Sequence, residues 1–143
     1  MDVVVYSRGA IERVPPQEVP HVVISITSAA DDVARIPPSP ETRAILRLSF
    51  ADADVAHDPP LVLFDAAHAR AIAAFVREHR DHVERIVVHC DAGLSRSPAV
   101  AAAITKWLGE DDAPWFKRYR PNSLVYRTLL DALMADDVMA EEP

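Results

Sequence analysis

Short apolar runs alternate along the chain with amphipathic stretches, and this alternation predicts strands and helices in turn. The run at 21–27 is apolar nearly throughout, which favours a central strand. Three further strands are predicted, at 3–6, 44–50 and 85–89. Helices are predicted after Ser7 to about residue 13, as one turn at 31–35, and at 65–80, 98–108, 113–119 and from 122 or 123 onward. The alternation favours an α/β fold with a mainly parallel central sheet of four to five strands flanked by helices.

The helix predicted at 65–80 connects two of the strands. Its apolar stripe comprises His68, Ile72, Phe75, Val76 and His79. Together with the strands at 44–50 and 85–89 it forms a βαβ crossover unit. Because parallel strands end at the same edge of a sheet, we expect the acidic loop at 51–60 to lie near the segment that follows the strand at 85–89.

Length, charge and cysteine content narrow the function classes. The 143 residues fit a single domain over 1–143, with 136–143 as a frayed acidic tail. A net charge of −7 argues against a general nucleic-acid binder and against binding to an anionic membrane. The apolar runs are too short to span a bilayer, and we expect no signal peptide. One cysteine excludes an internal disulfide and suits a reducing, cytoplasmic setting.

The segment at 89–98, with the sequence HCDAGLSRSP, lies between a predicted strand and a predicted helix. We refer to residues 90–97 as the Cys90 loop. Cys90 stands at its entrance and Arg96 near its exit. Ser97 is expected to cap the helix, and Pro98 fits the first helical turn. Unpaired N–H groups at a helix N-terminus favour a bound anion.

These residue types suit phosphate chemistry. A helix N-terminus and a nearby cation favour the thiolate form of a cysteine, which is the nucleophilic form. Gly93 allows the loop to curl, and the planar fork of Arg96 matches two oxygens of an oxyanion. Attack of the Cys90 sulfur on phosphorus would give a phosphocysteine that water hydrolyses. Ser97 could bind the sulfur when it leaves, and the acidic loop offers Asp52, Asp54 and Asp58 as proton donors.

The segment resembles the HCxxGxxRS signature of the cysteine-dependent protein tyrosine phosphatase superfamily. The short length and the sequence at 118–122 resemble the small dual-specificity-like branch, which includes compact bacterial members; the resemblance covers roughly 44–133. It implies that Cys90 is the nucleophile, that Ser97 assists hydrolysis of the intermediate and that His89 braces the loop. It also implies that Arg96 binds phosphate together with the backbone N–H groups of Asp91, Ala92, Gly93, Leu94 and Ser95. Neither a cofactor nor a metal is implied.

The general acid of that superfamily is an aspartate just after a strand, some thirty-odd residues before the cysteine. Asp52 follows the predicted strand at 44–50 most directly and is the first choice, with Asp54 second. Asp58 fits the spacing of compact relatives, but the adjacent prolines at 59 and 60 suggest an insertion.

The favoured function is a protein tyrosine or dual-specificity phosphatase whose partner is a phosphorylated protein, with phosphotyrosine favoured. One alternative is a catalytically weak module that binds phosphoproteins with the same loop. Sulfur transfer of the rhodanese kind and a metal at His89, Cys90 and Asp91 are less well matched. Phosphoinositide and RNA 5′-phosphate substrates rank lower, because Asp91 would repel additional phosphates. The sequence leaves the physiological substrate and the oligomeric state open.

Overall fold

The central sheet has four parallel strands. A computed structural model describes residues 1–53, 55 and 61–141, with side chains described as far as residue 135. The strands, in chain order, are β1 (Asp2–Ser7), β2 (His21–Thr27), β3 (Thr42–Ser49) and β4 (Arg85–Cys90). They are arranged in the order β1-β4-β2-β3, and each neighbouring pair is parallel. The predicted α/β fold with a parallel sheet is therefore confirmed.

Five helices complete the described part of the chain: α1 (Arg8–Ile11), α2 (Ala66–His79), α3 (Arg96–Trp107), α4 (Ala113–Arg118) and α5 (Ser123–Glu141). Helices α2, α3 and α5 share one apolar core with the sheet, and burial of each large side chain stabilises the fold by about 1.5–3 kcal/mol. In a second, smaller cluster, Ile11 of α1 packs with Val23 of β2 and Val87 of β4. Among the described residues, no helix combines the length and apolarity that a bilayer span requires.

The central position predicted for the strand at 21–27 is confirmed. Every residue of β2 is buried, because β4 and β3 flank it and both of its faces are covered. Strands β3 and β4 belong to the predicted crossover but are not neighbours, since β2 lies between them. The carboxyl ends of β2, β3 and β4 consequently lie side by side at one edge of the sheet.

The helical turn predicted at 31–35 is wrong. The backbone there forms tertiary contacts in place of helical ones: the Arg35 N–H donates to Glu12, and the Val33 carbonyl accepts from Arg8. Side-chain pairing of Asp32 with Arg8 adds a further tie to α1. These contacts hold the loop between β2 and β3 against α1. At the other end, α5 continues to Glu141, and the fraying expected for 136–143 stays a prediction.

Helix α3 begins earlier than predicted, and Ser97 does not cap it. The helix starts at Arg96, with Ser95 at the N-cap position, and Ser95 makes no side-chain bond to the helix N–H groups. Ser95 and Ser97 instead direct their hydroxyl groups to Asp52 and Cys90. The serines at the start of α3 therefore bond to residues of the site and not to the helix N–H groups. By contrast, Ser7, Asp65 and Asn122 cap their helices as predicted.

Candidate active site

Cys90 is the last residue of β4, and its sulfur lies under the start of α3. The residue is only 2% exposed. The Gly93 and Ser97 N–H groups donate to Sγ over 3.2 and 3.4 Å, and the Ser97 hydroxyl lies 3.0 Å from it. The loop therefore curls back over the sulfur and points donor groups at it, an arrangement suited to an atom that carries negative charge.

The curl depends on Gly93. Its φ angle is +72°, a left-handed conformation that costs any other residue about 1–2 kcal/mol. A Cβ at this position would lie 2.8 Å from the Ser7 nitrogen and 3.0 Å from its Cα. The Arg8 N–H also donates to the Asp91 carbonyl over 3.0 Å. The junction of β1 and α1 is thus one wall of the loop.

The Arg96 side chain is buried beneath the loop, with 5% of the residue exposed. Its Nη1 donates to the Phe50 carbonyl over 2.8 Å and to the Ser28 hydroxyl over 3.1 Å. Its Nη2 donates to Asp91 Oδ2 over 3.1 Å. Its Nε is buried and has no hydrogen-bond partner among the described residues. The guanidinium is therefore fixed by the chain just beyond β2, β3 and β4.

Asp52 joins the acidic loop to the Cys90 loop. Its Oδ1 accepts from Ser95 Oγ over 2.8 Å and from Asn122 Nδ2 over 3.1 Å. The same Asn122 amide donates to the Ala53 carbonyl, and its oxygen accepts from the Val125 N–H at the start of α5. The expected meeting of the two loops at one sheet edge is confirmed. Asp54 and Asp58 lie outside the described residues.

His89 lies on the other side of β4 from Cys90, because adjacent strand residues point to opposite faces. It is fully buried, with Nε2 2.6 Å from the Ser25 hydroxyl and Nδ1 3.4 Å from the Cys90 carbonyl. A carbonyl only accepts, so the proton is assigned to Nδ1, and the Ser25 hydroxyl donates to Nε2. Burial lowers the pKa of His89, which keeps the ring neutral.

The remaining loop positions face outward. Ala92 is exposed, and Leu94 is 59% exposed while its carbonyl accepts from the Arg120 N–H. The suggested metal site at His89, Cys90 and Asp91 is not assembled, since His89 is turned away. In the described part of the chain, no group of three or more His, Cys, Asp or Glu side chains is placed to hold a metal ion.

Three residues that contact the site belong to no motif in the sequence: Arg8, Ser25 and Ser28. Asn122 lies in the segment at 118–122 that carries part of the resemblance and is predicted as a helix cap, but its contact with Asp52 is not predicted. Ser25 carries the one visible signal, a hydroxyl within an otherwise apolar central strand. Arg8 and Ser28 come from segments far from the loop in sequence, so only the fold brings them to it.

Neither a scan against protein family models nor a search of curated proteins gives a match. Solved structures do match. Human DUSP28 aligns with a TM-score of 0.61 and 20% identity over 96% of this chain and 94% of that chain. A mouse putative dual specificity phosphatase, complexed with zinc tungstate, aligns with a TM-score of 0.58 and 18% identity, covering 96% and 86% of the two chains. This chain has the dual-specificity phosphatase fold.

A third structure with this fold is PTPMT1 in complex with PI(5)P. It aligns with a TM-score of 0.60 and 17% identity, covering 97% of this chain and 94% of that one. The resemblance that the HCDAGLSRSP segment indicated is therefore confirmed at the level of the fold. In this fold the Cys90 loop follows the central strand β4, and the acidic loop follows the edge strand β3, with β2 between the two strands.

The Gly93 turn can be tested with a matched pair of glycine substitutions. Gly93→Ala should destabilise the fold by about 2 kcal/mol or more, because the left-handed backbone and the contact with Ser7 both oppose the new methyl group. Gly109 also has a positive φ, +84°, but nothing lies within 4 Å of a Cβ there. Gly109→Ala should therefore cost only about 1 kcal/mol. Urea unfolding measures both, and equal losses would contradict the packing argument.

The buried His89 should make stability depend on pH. Its pKa is lowered in the folded state, so the unfolded chain binds the extra proton first. The free energy of unfolding should accordingly fall as the pH drops below about 6.5, by up to about 1.4 kcal/mol for each unit by which the pKa is lowered. His89→Gln should flatten this slope between pH 7.5 and 5.5 in urea unfolding. Equal slopes in the two proteins would assign the dependence to other histidines.

Proposed function

We propose that the chain is a phosphomonoester hydrolase that acts on phosphorylated proteins, with phosphotyrosine favoured, through a phosphocysteine intermediate. The observation that carries the proposal is the convergence of two N–H groups and one hydroxyl on the Cys90 sulfur, beside a buried arginine. The single thiol and its proposed reactivity suit a reducing, cytoplasmic setting.

In the first step, the Cys90 thiolate attacks phosphorus. The S–P bond forms as the ester P–O bond breaks, and the leaving oxygen takes a proton from the general acid. Arg96 and the loop N–H groups bind the phosphoryl oxygens, whose charge they stabilise in the transition state. In the second step, water attacks phosphorus and gives a proton to the carboxylate that the general acid left behind; the new P–O bond forms as the S–P bond breaks, which releases phosphate and the Cys90 thiolate. The Ser97 hydroxyl, 3.0 Å from Sγ, donates to the departing thiolate.

Asp52 is the proposed general acid. Its hydrogen bonds with Ser95 and Asn122 place the carboxyl group at the rim of the Cys90 loop. Both bonds use Oδ1, so Oδ2 is the oxygen that carries the transferred proton. Asp54, two residues further along the acidic loop, is the second candidate.

The preference for phosphotyrosine rests on the surface around the loop. Leu94 exposes an apolar side chain within the loop itself, where an aromatic ring can pack against it. Asp91 places a carboxylate in the same loop, which disfavours substrates that carry several phosphates. A phosphoinositide is bound in the PTPMT1 structure, and phosphoinositides therefore serve as a comparison substrate in the assay.

Replacement of the nucleophile tests the reaction. Cys90→Ser should lower turnover of para-nitrophenyl phosphate by about 10⁴-fold or more, because a serine hydroxyl is not ionised at neutral pH. The variant should still bind inorganic phosphate, which calorimetry measures. If wild type and variant both bind phosphate and neither hydrolyses the ester, the chain is a phosphate-binding module and the proposed activity is wrong.

Replacement of each aspartate tests the general acid. Asp52→Asn should lower kcat by about 10²-fold to 10⁴-fold with phenyl phosphate, and far less with para-nitrophenyl phosphate, whose leaving group needs little protonation. It should also remove the fall in kcat on the basic side of the pH profile. Asp54→Asn and Asp58→Asn are the matched variants. If one of them shows this pattern and Asp52→Asn does not, that residue is the acid.

A further inference from the structure

Asp91 links Arg96 of the Cys90 loop to Arg8 of α1. Its Oδ2 accepts from Arg96 Nη2 over 3.1 Å and from the Ser28 hydroxyl over 3.2 Å. Its Oδ1 lies 3.9 Å from Arg8 Nη1. Arg8 is held in turn by Asp32 over 2.7 Å and by Glu12 over 3.5 Å. The carboxylate of Asp91 thus lies between the first residue of α1 and the first residue of α3.

Arg96 has more N–H donors than it has acceptors among the described residues. A guanidinium has five N–H groups in a fixed plane. Ser28, the Phe50 carbonyl and Asp91 accept three of the bonds, two from Nη1 and one from Nη2. The Nε–H and one Nη2 N–H remain, and Nε is buried without a partner among the described residues. Two adjacent donors of this kind match two oxygens of one phosphate.

We propose that Asp91 is a positioning residue: it fixes the guanidinium plane of Arg96 so that these two remaining donors face the phosphate, and Arg8 balances its charge. The inference rests on the proposed function, which supplies the phosphate. The Phe50 carbonyl and Ser28 hold only Nη1, so they leave the side chain free to tilt about that end. The charge-assisted bond from Nη2 to Asp91 removes this freedom.

A carboxylate near the site opposes an incoming phosphate dianion unless its charge is balanced. Arg8 offsets part of this charge together with Arg96, and its closer contacts with Asp32 and Glu12 keep it in place. The Arg8 N–H bond to the Asp91 carbonyl fixes the backbone of the same residue. Asp91 therefore connects α1 to Arg96, through its backbone carbonyl and its side chain.

Neutralisation of Asp91 tests the positioning. Asp91→Asn keeps the shape and removes the charge, and it should lower kcat/KM for para-nitrophenyl phosphate by about 10-fold to 100-fold, mostly through kcat, as expected when a catalytic group is misplaced. Inorganic phosphate should inhibit the variant less strongly. Asp91→Glu should recover part of the loss. Glu41→Gln is the matched control, because Glu41 pairs with Arg43 at the start of β3 and its loss changes net charge equally.

Two results would overturn the inference. If Asp91→Asn binds inorganic phosphate more tightly and retains kcat, Asp91 competes with phosphate for Arg96 and does not position it. If Asp91→Asn behaves as Glu41→Gln does, the side chain has no such role. Thermal unfolding of each variant checks that the fold is intact, and recovery by Asp91→Glu separates positioning from a general loss of stability.

A double-mutant cycle tests the role proposed for Arg8. Arg8→Gln should raise KM several-fold, because the Asp91 charge is then unbalanced, and the KM of Arg8→Gln/Asp91→Asn should be closer to that of Asp91→Asn. Additive effects would refute the balancing role. Phosphate affinity is also compared between Cys90→Ser and Cys90→Ser/Asp91→Asn. A wild type without turnover refutes the proposed function, whereas this binding pair still decides the role of Asp91.

Discussion

The hydrogen bonds from the Gly93 and Ser97 N–H groups to the Cys90 sulfur are the contacts on which the site depends. They form only because the chain turns through a left-handed residue directly after β4 and enters α3 within a few residues. The start of the helix is therefore set by the loop and not by a capping side chain. Every other group of the site is placed relative to this turn, which the Ser7 backbone supports from behind.

Arg96 shows how the sheet order determines the site. Its three bonds go to Phe50, Ser28 and Asp91, which follow β3, β2 and β4. These strands are neighbours, and their parallel direction brings their carboxyl ends to one edge. A buried guanidinium is costly unless its donors find acceptors. The sheet edge provides those acceptors, and the donors that remain are the ones proposed to bind phosphate.

Charge is organised locally in a chain whose net charge is −7. Arg8 and Arg96 alternate with Asp32 and Asp91 in one connected set beside Cys90. Asp52, at the rim of the Cys90 loop, is held by neutral donors from Ser95 and Asn122. The proposed acid is thus tied to the same loop that carries the proposed anion site. His89 adds no charge to this region, because its burial keeps the ring neutral.

The local sequence pattern determined most of the secondary structure, the fold class and the central segment of the site. The four strands, the parallel α/β architecture and the segment with Cys90, Gly93 and Arg96 all follow from residues adjacent in sequence, since strand burial, helix periodicity and loop curl are short-range effects. The short pattern at 31–35 was misleading, because contacts with Glu12 and Arg8 outweigh weak helix propensity there. The prediction that Ser97 caps α3 was wrong because its hydroxyl group contacts the Cys90 sulfur. Only the tertiary structure decided that Arg8, Ser28 and Asn122 reach the site, because the strand order β1-β4-β2-β3 joins segments that no local rule connects.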